Sequence, residues 1–432
     1  MIEFQEAFKH AAETDHQPPS WANENHAAPQ NLPQITQRAI GIYLLSEQPN
    51  GEMGGIGWWQ TANGYTAIAL HDLYSHSNHN YQRLADGIRK CEAHRKGLIN
   101  EFNDDTLWWA MACLDTYALG RDPWFLNTAK GVWQHIRAKN SVCGRGQVSF
   151  KDQDMEGACF WTTREGEGQI NSISSGLYVE LSARLAILDK QAGNSTSESN
   201  NGHSREEKHP HLSKLMHIAG VDSSSIGSGS RHPASHSDYL TAAHCSLGWI
   251  LRCLYRPRDG IVLDGILLKK GEKRDWAFTY LTGKVIGACT ALFEATGEEN
   301  YLTLAIHMAH KGMRNPSWVT PQGVLTEHGA YGKGNHDPIK NDDAVTFKQV
   351  FMRHLGSLYE VMTRIGPRSE KVGREAQLIK TFVLLNFASL QERDTNGNGQ
   401  YGPWWDGPFE CPTSHSQLAV LDVMAAVRVV TR

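Results

Sequence analysis

Apolar residues recur at three- and four-residue spacings along most of this chain. Trp59, Ala62, Tyr65, Ala69 and Leu73 form one such stripe, and Leu107, Ala110, Met111, Leu114 and Tyr117 form another. Both fit the i, i+3, i+4, i+7 template of an amphipathic helix better than the alternation of a strand. The same reading predicts helices over 123–137, with Pro123 in the first turn, and over 174–189, 242–254, 284–295, 301–313, 347–362, 375–390 and 416–429. Gly120-Arg121-Asp122 and Gly297-Glu298-Glu299 read as tight turns between successive helices. Strand signals are few, and 148–150 and 261–263 read as small hairpin pieces.

The pattern amounts to roughly twelve helices, one helical hairpin per about 50 residues, which means stacked or circularly closed hairpins. Open solenoids carry a tighter repeat than these helices do. A closed ring converges its inter-helix loops on one face, where a cleft can form. Residues 190–237 interrupt the pattern. They are rich in Ser, Asn, Glu and Gly, and read as a solvated, partly disordered insertion with a short apolar island at 212–221. Helices resume directly after it, so the chain reads as a single domain over 1–432, preceded within it by an N-terminal arm over 1–35.

Composition narrows the class. A formal net charge of -4 gives no electrostatic reason to expect nucleic acid or an anionic membrane as partner. No apolar run is long enough to span a bilayer. The start Met1-Ile2-Glu3-Phe4-Gln5-Glu6 lacks the basic and apolar regions of a signal peptide. None of the 8 cysteines forms a CxxC pair, which argues against a zinc ribbon and leaves buried free thiols or one or two disulfides. Asn194-Ser195-Thr196 is a glycosylation sequon, relevant only to a secreted chain. Asp394-Thr395-Asn396-Gly397-Asn398-Gly399 begins like a calcium loop, but Trp405 stands where the bidentate Glu belongs, so it reads as a turn. His307-Met308-Ala309-His310 lacks zinc-helix spacing. No metal and no cofactor are expected.

The candidate chemistry lies at Asn103-Asp104-Asp105, followed by Thr106-Leu107-Trp108-Trp109. Adjacent carboxylates repel, so a pair at a helix start either caps the helix or serves a purpose. Asn103 is the expected N-cap, with both aspartates in the first turn. The helix dipole there lowers both pKa values, while mutual repulsion makes the second proton harder to remove. The pair can therefore hold one anion and one acid, as glycoside hydrolysis requires. Retaining glycosidases place their carboxyl groups roughly 5–5.5 Å apart, a spacing that neighbours in a first turn can reach. The residues alone do not say which aspartate plays which role. Among 13 tryptophans, the doublets Trp58-Trp59, Trp108-Trp109 and Trp404-Trp405 offer flat faces for sugar rings or for the core, with one member of each helical doublet expected in the cleft.

Several ordered motifs resemble glycoside hydrolase family 76, the endo-α-1,6-mannanases and their fungal cell-wall relatives. Gly55-Ile56-Gly57-Trp58-Trp59-Gln60-Thr61-Ala62-Asn63-Gly64 is similar to the family's first motif, and the Asp104-Asp105 stretch to its catalytic motif. Asn171-Ser172-Ile173-Ser174-Ser175-Gly176-Leu177, then Val262-Leu263-Asp264-Gly265-Ile266, then Phe278-Thr279-Tyr280 follow in order. Asp343 with Phe347-Lys348-Gln349-Val350-Phe351-Met352-Arg353, and Trp405-Asp406-Gly407-Pro408, complete the series. The resemblance covers roughly 38–428.

It implies an all-α (α/α)6 toroid that cleaves α-1,6-mannosidic linkages with retention, or transfers the glycan to a sugar acceptor. It also implies Asp104 as nucleophile and Asp105 as acid/base. Trp58, Trp59, Asn63, Trp108, Trp109, Asn171, Asp264, Tyr280 and Trp405 are then expected to contact mannan or a mannose-containing oligosaccharide. Lys348 and Arg353 either shape charge near the cleft or lie on a solvated helix face. A monomer is expected, and the resemblance further implies work outside the cell or at its surface. Leu281-Thr282-Gly283 departs from the family's Asn-Gln-Gly, and Gln349 from its Gly. Those departures keep open a catalytically silent glycan-binding toroid. A lyase or hydrolase acting on uronates needs a basic cleft, which the net charge does not support.

Overall fold

The computed structural model describes residues 2–12, 17–164, 166, 168–198, 234–327, 337–366 and 369–432. Six hairpins follow one another: α2 (Leu32–Leu44) with α3 (Trp58–Tyr74), α4 (Tyr81–His94) with α5 (Asn103–Gly120), α6 (Pro123–Ala138) with α7 (Ser172–Glu198), α8 (His236–Cys253) with α9 (Thr279–Thr296), α10 (Glu299–Gly312) with α11 (Asp342–Arg364), and α12 (Glu370–Arg393) with α13 (Ser414–Val430). The second helix of each hairpin packs on the second helix of the next, and α13 returns to α3, closing the ring. The first helices form an outer layer. The fold is an (α/α)6 toroid.

Burial explains which helices lie inside. Every residue of α5 from Thr106 to Thr116 is buried, on all sides of the helix. Such a helix must be surrounded. In α4 burial is confined to Leu84, Ala85, Gly87, Ile88 and Cys91, one face of an otherwise polar helix. Side chains fix several starts: Asp122 accepts the Trp124 N–H ahead of α6, and capping boxes open α8 and α13. All eight cysteines are free thiols. No helix among the described residues is long and apolar enough to cross a membrane.

Three local findings revise the sequence reading. The first 35 residues are not only an arm: α1 (Ile2–Ala12) docks outside the ring against α8 and α10. Helix α7 runs on to Glu198, taking in the start of the expected insertion. The apolar island at 212–221 lies outside the described residues. Short strands also outnumber expectation. β1 (Ser149–Phe150) pairs with β2 (Gln153–Asp154), and β4 (Tyr255–Arg256) with β5 (Ile261–Val262). The third sheet has the order β3 (Gln169–Asn171), β6 (Gly265–Leu267), β7 (Glu272–Arg274), all antiparallel, with Asn171 opposite Gly265 and Gly265 opposite Arg274.

The axis of the ring holds charge rather than apolar side chains alone. Lys284 donates to Glu180 at 2.7 Å, Arg184 to Asp115 at 2.5 Å, and Arg353 to Asp422 at 2.7 Å. These six residues come from α5, α7, α9, α11 and α13, and cations balance anions three to three. Arg353 also donates to Asn63 on α3 at 2.6 Å. Each buried charge has a partner, the condition under which burial of ions is tolerated.

Close helix contact also explains Gly283. A Cβ there falls 2.6 Å from the backbone Cα of Phe351 on the neighbouring inner helix. Backbone cannot swing aside as a side chain does. Gly283→Ala is expected to lower unfolding free energy by about 1–3 kcal/mol through overpacking, measurable by urea titration.

Candidate active site

A cleft of about 390 Å³ opens on the loop face of the ring, and α5 starts in it. Asn103 does not cap this helix. It is the first helical residue, and its side-chain amide donates to the Phe160 carbonyl at 2.9 Å. That bond ties the helix start to the 159–162 loop. The next two residues, Asp104 and Asp105, line the cleft, half-buried.

The two carboxyl groups differ in surroundings. Asp104 accepts the Asp105 backbone N–H at 3.0 Å and the Trp161 indole N–H at 3.1 Å, one on each oxygen. Asp105 accepts the Asn100 side-chain amide at 2.7 Å. Burial raises Asp104 well above the usual carboxylate range, and the charge of Asp105 adds to it. Burial likewise pushes Asp105 up to about 6, against the pull of the Asn100 amide. Burial thus favours a proton on Asp104, while its two donors favour the anion there. Either way the pair retains one proton into the weakly acidic range, giving one anion beside one acid.

Aromatic rings form one wall. Trp59 stacks near Trp108 with centroids 6.1 Å apart, and Phe347 lies 6.5 Å from Trp59. Phe347 also stacks on Tyr280 at 4.2 Å. Burial and then the charges of Asp264 and Asp104 keep the Tyr280 phenol protonated, so it remains a donor. Asp264, pushed up to about 6 by burial, lies 3.9 Å from Arg274. Asp343 accepts the Gln60 amide at 2.6 Å and the Trp59 indole N–H.

Of the residues expected at the site, Trp59, Asp104, Asp105, Trp108, Asn171, Asp264 and Tyr280 meet in this cleft. Six others do not. Trp58 and Trp109 pack on each other inside the ring, 4.5 Å between centroids, because neighbours on a helix point about 100° apart. Asn63 is buried and serves Arg353, and Arg353 serves Asp422. Lys348 is neither in the cleft nor solvated. Its ammonium donates to the Val345 and Pro403 carbonyls at 3.1 and 3.0 Å and sits over the buried ring of Trp405.

The cleft also contains residues that the sequence reading passed over. Phe278, Asp343 and Phe347 stood inside recognised motifs, and the last two share a face of α11. Phe102, Trp161, Gln169, Arg274 and Trp276 come from loops and two- or three-residue strands with no period to read.

Comparison with known proteins places this site in context. The model of glycosyl hydrolase family 76 matches residues 231–431. Three similar solved structures cover nearly the whole chain. An inactive variant of the α-1,6-mannanase GH76A of Salegentibacter sp. HEL1_6, with two consecutive aspartates replaced and α-1,6-mannotetrose bound, is 21% identical at a TM-score of 0.69, covering 92% of this chain and 99% of that one. The unsubstituted mannanase is 22% identical at 0.67, over the same shares of 92% and 99%. Dfg5 from Chaetomium thermophilum, in complex with glucosamine, is 14% identical at 0.61, covering 94% and 92%. No curated protein matches the chain.

Proposed function

Since the chain is a relative of glycosyl hydrolase family 76, we propose that it cleaves α-1,6-mannosidic linkages within mannan by double displacement. One observation supports this most: two adjacent aspartates, each raised by burial, open into an aromatic-walled cleft at the start of an inner helix.

In this reading the Asp104 carboxylate attacks the anomeric carbon. The glycosidic C–O bond breaks, and its oxygen takes the proton of Asp105. The Trp161 and Asp105 N–H groups aim Asp104 for that attack. Water then enters where the leaving sugar stood. Asp105 removes its proton as its oxygen bonds to the anomeric carbon, and Asp104 is released. The bond configuration is retained after two inversions. A sugar hydroxyl in place of water turns the same cycle into transfer, and the likeness to Dfg5 favours keeping that reading beside hydrolysis. We place the activity outside the cell or at its surface.

Product analysis on defined α-1,6-mannan oligomers tests the proposal. The α-anomer should appear first by NMR, as free sugar or as a longer chain. An initial β-anomer contradicts double displacement. Binding without turnover leaves only a glycan-binding toroid.

The pH profile carries a further expectation. The monoanion of the pair does the work, so kcat/KM should rise as the first proton leaves and fall as the second leaves. Asp105 is surrounded by Asp104, Asn100, Glu101, Arg95 and, from across the cleft, Asp343, whose negative charge raises it. Asp343→Asn removes that charge. The basic limb of the profile should move to lower pH, and an unmoved limb would show that Asp343 does not act on the acid.

A further inference from the structure

We propose that Trp276 is a separate sugar subsite at the rim of the cleft, a platform for a mannose unit remote from the bond that is cut. This deepens the proposed function and rests on it. Trp276 is 52% exposed, in a protein whose other large rings in contact with the cleft are mostly covered. An exposed indole continuous with other rings of a cleft forms an apolar patch of the kind that marks a ligand-binding groove.

Its placement is held firmly. The Asp264 backbone N–H donates to the Trp276 carbonyl at 2.9 Å, beside the carboxyl that lines the cleft floor. The guanidinium of Arg274 lies 4.7 Å from the centre of the indole and 3.9 Å from Asp264. A cation over the ring fixes its tilt, and about half of the residue's surface stays open to a sugar.

The ring also ends a continuous path. From Trp108 beside the aspartates, contact runs to Trp59 at 6.1 Å, to Phe347 at 6.5 Å, to Phe278 at 5.1 Å and to Trp276 at 5.9 Å. One pyranose covers about one such ring. Trp108 is itself buried, and the four partly open rings from Trp59 to Trp276 serve a glycan of several units, the outermost of them touching substrate only when the chain is long enough. Trp276 therefore makes the site measure chain length.

The experiment compares the unmodified protein, Trp276→Ala and Trp276→Phe on α-1,6-mannooligosaccharides of increasing length. In the unmodified protein kcat/KM should climb with length. Trp276→Ala should flatten that climb, losing roughly tenfold on the longest oligomers and less than about twofold on the shortest one cleaved. Trp276→Phe, with a ring still in place, should recover most of the loss. A uniform loss at every length, or none, overturns the subsite. Calorimetric binding of α-1,6-mannotetraose to an Asp104→Asn background decides the same point without turnover. There Trp276→Ala should weaken affinity by a similar factor, and equal affinity overturns the platform. Absence of turnover in the unmodified protein, with the binding difference intact, refutes the hydrolase reading and not the subsite.

Discussion

Asp104→Asn is expected to lower kcat on α-1,6-mannan by about 10⁴-fold or more, a barrier increase of about 5 kcal/mol. The amide cannot form the glycosyl bond, and the cycle stops before it begins. Asp105→Ala should cost less, about 10²–10⁴-fold, because general acid help is one contribution among several. A substrate with a good leaving group should recover the first step in Asp105→Ala and not in Asp104→Asn. Azide sharpens the assignment. In Asp104→Asn it replaces the missing nucleophile on the face opposite the leaving group and yields a β-mannosyl azide. In Asp105→Ala the covalent intermediate still forms, and azide attacks from the other face to give the α-product. The anomer of the azide thus says which aspartate attacks, a question on which burial and hydrogen bonding at Asp104 pull in opposite directions. Swapped anomers exchange the two roles. Full turnover in both variants reduces the pair to a helix start.

The second large effect belongs to stability. Lys284→Met should lower unfolding free energy by about 3–5 kcal/mol, read from urea or guanidinium titration. The ammonium donates to Glu180 at 2.7 Å in the axis of the ring, where water does not reach. Removing it takes away the closest partner of a buried carboxylate and leaves Arg184, 3.6 Å away and already donating to Asp115. Burial by itself pushes Glu180 up, yet Lys284 and then the neighbouring positive groups hold it at about 2. A carboxyl depressed below its ordinary 4.5 stabilises the fold fully above that value, and the contribution fades as pH falls towards 2. In Lys284→Met the folded-state value rises towards the unfolded one, so this acid-sensitive contribution should shrink and acid should cost the variant less stability than it costs the unmodified protein. Adding Glu180→Met should restore part of the stability, since an apolar pair of similar volume replaces a buried ion that has lost its closest partner. If the single variant is as stable as the unmodified protein, the axial charges are not what the ring depends on.

The path from sequence to site was uneven. The helical stripes were plain where apolar residues kept their period, as in 123–137 for α6 and 242–254 for α8. The outer helices α2 and α4 are absent from the sequence reading although each buries one stripe, as α6 does. At the site, Asp104-Asp105 could be found because two like charges side by side are conspicuous. Asn103 was misjudged because capping depends on φ and ψ, and its amide reaches a loop carbonyl 57 residues away. Lys348 and Arg353 read as cleft or surface charges because nothing local in α11 reveals that their partners sit on the 403–405 loop, α3 and α13.

The sequence by itself determined the helical repeat, the acid pair and the stock of tryptophans, because period, charge adjacency and composition are properties of neighbouring residues. Only the tertiary structure decided which member of each doublet faces the cleft: Trp59 and Trp108 stack there, while Trp58 and Trp109 pair within the wall. It alone brought in Gln169, Arg274 and Trp276, through pairing of β6 with β3 across about 95 residues of chain and with β7 on its other edge. The reason is physical. Closing six hairpins into a ring sets the rotation of each inner helix and the register of each loop strand together, and no short stretch of chain contains that constraint.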